Sequence, residues 1–434
     1  MHVFPKPAAI VLLAALALNV VARGIVPTLS AVATDFPSYF TAAKIVADGR
    51  DVARLYDIPW FQQQMRSYRI GKPEEGKFSP FPPPTALLLV PLAGLAPLNA
   101  LRVVTGIGVL CLIGSIVLLA RILCWSALDT AVLVLLSGNA ILAALRLGQP
   151  YILVSACCIL GYYAYLRHRP WLAGASLGLF TPLKYFPVVI LGYFAFRRQW
   201  RLVVAGMLTI VAVTLTSIAV LGWRIHAQFL TSVLGSHLTA RLSMQDPFSA
   251  SFQSFDTLFR RLFVFDALAN PRPLLAAAWL SRACLVATKL VIFAALIATL
   301  LRLARSRGAS ATAPSLGLLG IATLLLAPAT ATYHMVLLWL PVGLLCNFFL
   351  RQRALASIWV VLGGYALIGF LPYRFTMPFE GRGGLTVLAY PRLFLLLAMF
   401  VASVHGLWKY AAGVPQDPDP RRVSPATFQP NHDP

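Results

Sequence analysis

Acidic residues are what this chain has least of: fourteen Asp and Glu among 434 residues, against 36 Lys and Arg, for a formal net charge of +22. Charge of either sign is sparse, at 12% of residues, where soluble domains carry about 25%. With 59% hydrophobic residues and a mean hydropathy of +0.77, the chain has more apolar surface than one soluble core can bury. These scarcities exclude an ordinary soluble domain and imply an integral membrane protein. The basic excess would point to nucleic acid in a soluble chain. Here the arginines punctuate apolar runs, where they set topology and meet anionic headgroups, so no nucleic-acid partner is expected.

Paired cysteines and familiar catalytic motifs are missing as well. The six cysteines, at 111, 124, 157, 158, 284 and 346, lie in or beside apolar runs with no C-x-x-C spacing. They read as small buried hydrophobes, so neither disulfides nor a zinc site is expected. No Walker motif, G-x-G-x-x-G, H-E-x-x-H or G-x-S-x-G occurs, which leaves nucleotide-driven and common hydrolase chemistry without support.

What is present is a series of apolar runs, near 8–27, 99–121, 127–145, 150–166, 202–222, 277–301, 314–328, 332–350, 355–372 and 388–410. They predict an all-α polytopic membrane protein of about ten spans. The first run, AAIVLLAALALNVVARGIV, ends in no A-x-A site and reads as an uncleaved span. The segment 171–196 has RHR before it, RRQWR after it, and Pro182 and Lys184 in its middle. A single span would put one arginine cluster on each side, so the charges predict a re-entrant hairpin turning at TPLK.

With that hairpin, the short cytoplasmic loops carry eleven arginines (121, 167, 169, 197, 198, 201, 302, 305, 307, 351, 353) and the short outer loops three (146, 374, 382). Both termini then face the cytoplasm, and the long polar stretches 28–98 and 223–276 fall outside. Residues 1–412 form one transmembrane domain, and 413–434, rich in Pro and Asp, a disordered cytoplasmic tail. In the first outer stretch, FPSYFTAAKIVADG has the spacing of an interfacial amphipathic helix. FSPFPPPTALLLVPLAGLAP reads as a short helix in or dipping into the outer leaflet.

A few polar residues stand at the outer ends of these runs. Asp35 follows the first span, where an acid marks function or caps the next helix. His334, in APATATYHMVLLWL, begins a late span and is either a packed residue or a ligand. Lys184, at the hairpin tip, must find an anion or lose its proton, and a lipid phosphate would satisfy it. Arg146 and Gln149 in LRLGQPY, with Arg374 and Arg382 in PYRFTMPFEGR, are either snorkelling anchors or a cationic rim around phosphate.

Several segments in order, TDFPSYFTAAKIVADGRDVARLYD, FSPFPPPTALLLVPLAGLAP, LRLGQPYILVSACCILGYYAYLRHRPWLAGASLGLFTPLKYFPVVILGYFAFRRQWR, SFQSFDTLFRRL and LLLAPATATYHMVLLWLP, resemble glycosyltransferase family 87, also described as DUF2029. These are membrane mannosyltransferases of the C-type glycosyltransferase fold, and they include the phosphatidylinositol-mannoside mannosyltransferases of mycobacteria. The resemblance implies transfer of a hexose, usually mannose, from a polyprenyl-phosphate donor to a hydroxyl of a glycolipid or glycan acceptor. The reaction would take place on the outer face of a bacterial cytoplasmic membrane, with membrane lipids as further partners.

The resemblance also implies that Asp35 is the catalytic base of a single inverting displacement, assisted by His334. Tyr39, Arg146, Gln149, Lys184, Tyr185, Gln253, Ser254 and Arg382 would hold substrate. No cofactor is expected, and a divalent metal is left open. Two positions depart from the family pattern: Tyr333 and His334 stand where it has two adjacent histidines, and Phe252, Gln253 and Ser254 where it has Asn-Gln-Ser. The competing reading is a flippase or transporter of lipid-linked sugars, to which broken segments and intramembrane charge also belong.

Overall fold

An apolar run inside a membrane can satisfy its backbone only as a helix or a closed barrel, and each run in this chain falls on a helix. The computed structural model describes residues 3–32, 35–238, 246–305, 311–372 and 375–413, and among them no strand occurs. The principal helices are α1 Lys6–Ser30, α2 Asp35–Ala47, α3 Ile58–Tyr68, α4 Pro97–Leu123, α5 Ala127–Leu135, α6 Asn139–Arg146, α7 Tyr151–Leu166 and α8 Pro170–Leu179. They continue as α9 Phe186–Phe196, α10 Trp200–Leu221, α11 Phe255–Phe263, α12 Ala278–Arg305, α13 Thr312–Leu326, α14 Thr332–Arg351, α15 Leu355–Phe370 and α16 Pro391–Gly413. The expected tail, from 414 onward, and Arg374 lie outside the described residues.

Among the described residues six helices, α1, α4, α10, α12, α14 and α16, are long and apolar enough to cross a membrane, and a seventh span arises if α5 and α6, bent by 71°, are counted as one. That is fewer than the ten runs predict. The reason is length: α7, α13 and α15 hold 16, 15 and 16 residues, a rise of about 24 Å or less against a hydrocarbon core of about 30 Å. The most apolar stretch of α14 is 78% buried, whereas those of α10 and α12 are 17% and 22% buried. α14 is therefore the central helix, and α10 and α12 stand on the periphery. Within α1, Pro27 cannot donate a backbone bond, and the ladder widens just before it into a π turn over Val21–Ile25.

Bare glycine faces reveal how neighbours run. A Cβ on Gly174 would meet the Leu202 carbonyl, and one on Gly178 the Gly206 carbonyl, so α8 and α10 are parallel. α9, which connects them, runs back between those levels. His168 and Arg169 consequently share one end of the bundle with Arg197, Arg198 and Arg201, while the TPLK turn points toward the other. Gly317 and Gly320 against Leu345 and Pro341, and Gly364 and Gly406 against Met399 and Ser357, make α13/α14 and α15/α16 antiparallel pairs.

This alternation gathers the polar connections at the end that holds the hairpin tip. Arg102 of α4 donates to the Leu29 carbonyl of α1 at 3.0 Å. Leu221, closing α10, packs with Ile45 and Phe78. Arg392 of α16 donates to Thr332 Oγ1 at 2.7 Å, and its backbone N–H to Gln253 Oε1 at 3.1 Å.

One local expectation is corrected. α2 is not an interfacial helix: residues 36–43 are all buried. Its aromatic rings find protein partners, Phe36 with Phe40 at 5.7 Å between centroids and Tyr39 with Phe81 at 4.3 Å, and Phe81 in turn meets Phe78 at 6.0 Å. The Pro-rich run after it is a short apolar helix over Pro83–Leu92, as expected, built of two 3-10 stretches, Pro83–Leu87 and Val90–Leu92. Prolines at 82, 83, 84 and 91 remove the amide donors that an α-helix requires.

Candidate functional site

Asp35 is the first residue of α2, and what reaches it is set by the turn between α6 and α7. Gly148 in that turn has φ +62, and a Cβ there would lie 2.7 Å from the Phe36 ring. Only glycine fits both the backbone and the space. The turn delivers Gln149, whose Nε2 donates to Asp35 Oδ2 at 2.7 Å. Gln149 Oε1 accepts from the Tyr39 hydroxyl at 2.8 Å, and the Tyr39 oxygen accepts from Lys184 Nζ at 3.2 Å. Ammonium, phenol, amide and carboxylate thus form one directed chain in which every donor meets an acceptor.

Asp35 Oδ1 has no hydrogen-bond partner among the described residues. Burial pushes the Asp35 carboxyl above its ordinary pKa; the Gln149 bond and the charges of Lys184 and Lys77 pull the other way. Burial likewise holds Lys77 below its ordinary value, opposed by Asp35.

Asp35 lines a cavity of about 500 Å³ whose walls come from six stretches of the chain, within 35–38, 75–82, 149–151, 183–185, 246–252 and 329–334. Lys184 is caged by rings, 4.9 Å from the Phe81 centroid, 4.9 Å from Tyr151 and 5.7 Å from Tyr39. Such faces stabilise an ammonium without neutralising it, leaving its charge for an anion in the cavity.

His334 Nδ1 accepts the Ala331 backbone N–H at 2.7 Å, so the ring proton sits on Nε2. Nε2 lies 2.6 Å from the Tyr151 hydroxyl and donates to it. The Tyr151 proton is then directed elsewhere, and Tyr333 stacks on Tyr151 at 5.3 Å.

Of the residues singled out from the sequence, the structure brings together Asp35, Tyr39, Gln149, Lys184, Tyr185 and His334. It does not bring in Gln253, Ser254, Arg146 or Arg382. Gln253 is buried and donates to the Ala250 and Ala389 carbonyls at 2.6 and 3.0 Å while its oxygen takes the Arg392 N–H. Ser254 caps α11, accepting from Thr257 N–H, and donates to the Pro328 carbonyl at 2.8 Å. These two residues brace the 246–254 wall from behind because its backbone would otherwise be buried unsatisfied. Arg146 and Arg382 are exposed and do not line the cavity.

His334 borders the cavity with both ring nitrogens engaged, one by the Ala331 N–H and the other by the Tyr151 hydroxyl. Sequence reading missed Lys77, Glu75 and Asp246, which stand in no motif, and Tyr151, which closes the LRLGQPY segment two residues after Gln149.

A second hollow, about 220 Å³ and almost wholly apolar, lies between α4, α7 and the 88–92 turn. Leu88, Leu92, Val104, Ile107, Leu145 and Leu153 line it, and it reaches Tyr39 and Gln149. The Asp35 chain therefore stands between a polar cavity and an apolar cleft. Among the described residues no group of three or more His, Cys, Asp or Glu is placed to hold a metal ion.

Comparison with curated proteins and with solved structures finds no match. Residues 80–328, more than half of the chain, match the sequence model of glycosyltransferase family 87. Together with its apolar helices, this makes the protein a membrane glycosyltransferase, and the chain belongs to glycosyltransferase family 87.

Proposed function

We propose that the enzyme moves a hexose, mannose by family resemblance, from a polyprenyl phosphate to a hydroxyl of a glycolipid or glycan acceptor. The reaction takes place on the outer face of a bacterial cytoplasmic membrane and inverts the anomeric carbon. Asp35 and Gln149 sit where the acceptor hydroxyl and the sugar meet. The acceptor oxygen attacks the anomeric carbon, the bond from that carbon to the phosphate oxygen breaks, and the hydroxyl proton passes to Asp35 Oδ1. Polyprenyl phosphate leaves carrying the electron pair, so it needs cations and no proton. Lys184, caged at the hairpin tip, and Lys77, on the facing wall, supply them. The apolar cleft beside Tyr39 and Gln149 has the lining to hold the first isoprene units of the donor.

The observation that carries this reading is the geometry of Asp35. Its Oδ2 is fixed by Gln149, its Oδ1 has no hydrogen-bond partner among the described residues, and Lys184 is three hydrogen bonds away along the same chain. Asp35 precedes the family-matched residues, so its role rests on this arrangement and on the resemblance of its own segment.

The test is transfer of label from radiolabelled polyprenyl-phosphate mannose to extracted envelope lipids in proteoliposomes, wild type beside Asp35→Asn. Label moving only with the wild type supports the reading. Equal transfer by both removes Asp35 from the chemistry, and transfer from a polyprenyl-phosphate pentose alone replaces mannose.

A further inference from the structure

The segments 264–277 and 375–389 form a lobe beside the cavity wall. It is firmly built. Arg261, buried at the end of α11, donates to the Phe248 carbonyl, to the Ala269 carbonyl at 3.1 Å and to Glu380 Oε2 at 3.3 Å. Gly383 N–H donates to the Arg272 carbonyl at 3.1 Å, and Asn270 donates to the Arg261 and Val264 carbonyls at 2.9 and 2.6 Å. Yet the lobe turns large apolar side chains outward: Leu268 is 96% exposed, and Phe265, Leu274, Phe375 and Leu385 are each more than half exposed. A rigid surface of this kind in a polar connection is not loose packing; something covers it.

Its place on α12 identifies the cover. α12 has 28 residues, about 42 Å of rise, which exceeds a hydrocarbon core of about 30 Å. Arg302 and Arg305 in its last turn mark one boundary, and about twenty residues back, the span needed to cross that core, the other falls near Arg282. Trp279, 71% exposed, and the lobe preceding it therefore stand at headgroup level. Charge agrees. Arg272, Arg282 and Arg382 are exposed around the apolar side chains, whereas Asp266 accepts the Leu268 and Ala269 N–H groups and Glu380 pairs with Arg261.

We infer that this lobe is a membrane-surface wedge: its apolar side chains enter the interfacial layer of the bilayer, and its arginines contact anionic headgroups. By its backbone and ion-pair links to 246–254, the wedge holds the cavity wall at a fixed height above the acyl chains. The inference does not depend on the identity of the sugar or the acceptor.

The test places a nitroxide at Leu268→Cys, and separately at Leu385→Cys, in the full chain in proteoliposomes of zwitterionic lipid with and without phosphatidylglycerol. The signal from the six native cysteines of the parent protein is subtracted. Broadening by oxygen that exceeds broadening by a water-soluble nickel complex at either folded variant is the expected result. It should grow with phosphatidylglycerol and lose that growth in Arg272→Gln/Arg282→Gln. Broadening mainly by nickel puts the lobe in water and overturns the inference. Weak broadening by both reagents means that protein, such as a second copy of the chain, covers the surface, and overturns it equally.

Discussion

At the scale of single residues, the Asp35 chain separates catalysis from stability. A carboxyl whose folded pKa lies above its unfolded one binds its proton more tightly when folded, so this group favours folding as pH falls and opposes it as pH rises. Asp35→Asn removes the buried charge and keeps an acceptor for Gln149. It should therefore hold or raise the thermal midpoint at neutral pH while transfer falls by about 10²–10⁴-fold, the usual worth of a positioned base. A mutant that loses both stability and activity would make Asp35 a structural residue. The wild-type rate should rise with pH through a midpoint above the ordinary 3.8 of an aspartate, because the base works only when deprotonated. Lys184 lowers the Asp35 pKa through its charge. Lys184→Gln should accordingly move that midpoint upward and also cut kcat by about 10²–10³-fold, the loss typical of one charge-stabilising group; a lower rate with an unmoved midpoint would place Lys184 away from the carboxylate.

Among the elements, the α6–α7 turn is the most exacting. Gly148→Ala would strain a left-handed residue by roughly 1–2 kcal/mol and drive its Cβ into Phe36, shifting Gln149 off Asp35. Gly49 offers a built-in comparison, since it has φ +63 but open space around it. Gly49→Ala should lower the thermal midpoint with transfer intact, and Gly148→Ala should lower both, transfer by about 10²-fold, as one ångström of misplacement can cost; equal behaviour would detach the turn from the site. This contrast also marks what the sequence could disclose. Apolar runs and arginine clusters made the helices and the turn at TPLK legible, because length, hydropathy and charge act locally. The burial of α2 was not legible, since aromatic residues at helical spacing look the same whether they meet lipid or the rings of Phe78 and Phe81. Gln253 and Ser254 were misplaced for a related reason: a polar residue in a loop reads alike whether it faces a ligand or satisfies a buried carbonyl. Lys77 and Tyr151 became site residues only when six distant stretches closed around one cavity.

For the whole molecule, a polar cavity and an apolar cleft meet at Tyr39 and Gln149, the arrangement that the proposed donor, with a charged head and a long apolar chain, requires. The cleft cannot act mainly through affinity, because a prenyl chain leaving the bilayer exchanges one apolar surrounding for another. In the proposed reaction its contribution is orientation, bringing the phosphate to Lys184 and the anomeric carbon within reach of Asp35 and the acceptor hydroxyl. Val104→Trp on α4 fills the cleft without touching the hydrogen-bonded chain. It should lower kcat for a long-chain polyprenyl-phosphate donor by about 10²-fold, the cost of a misplaced reacting centre, and leave a donor with a single short prenyl unit at the wild-type rate. The measurement is kcat against chain length for both proteins. Curves that diverge as the chain grows assign the cleft to the donor; parallel curves mean that the cleft serves the acceptor's acyl chain or the packing of α4 on α7.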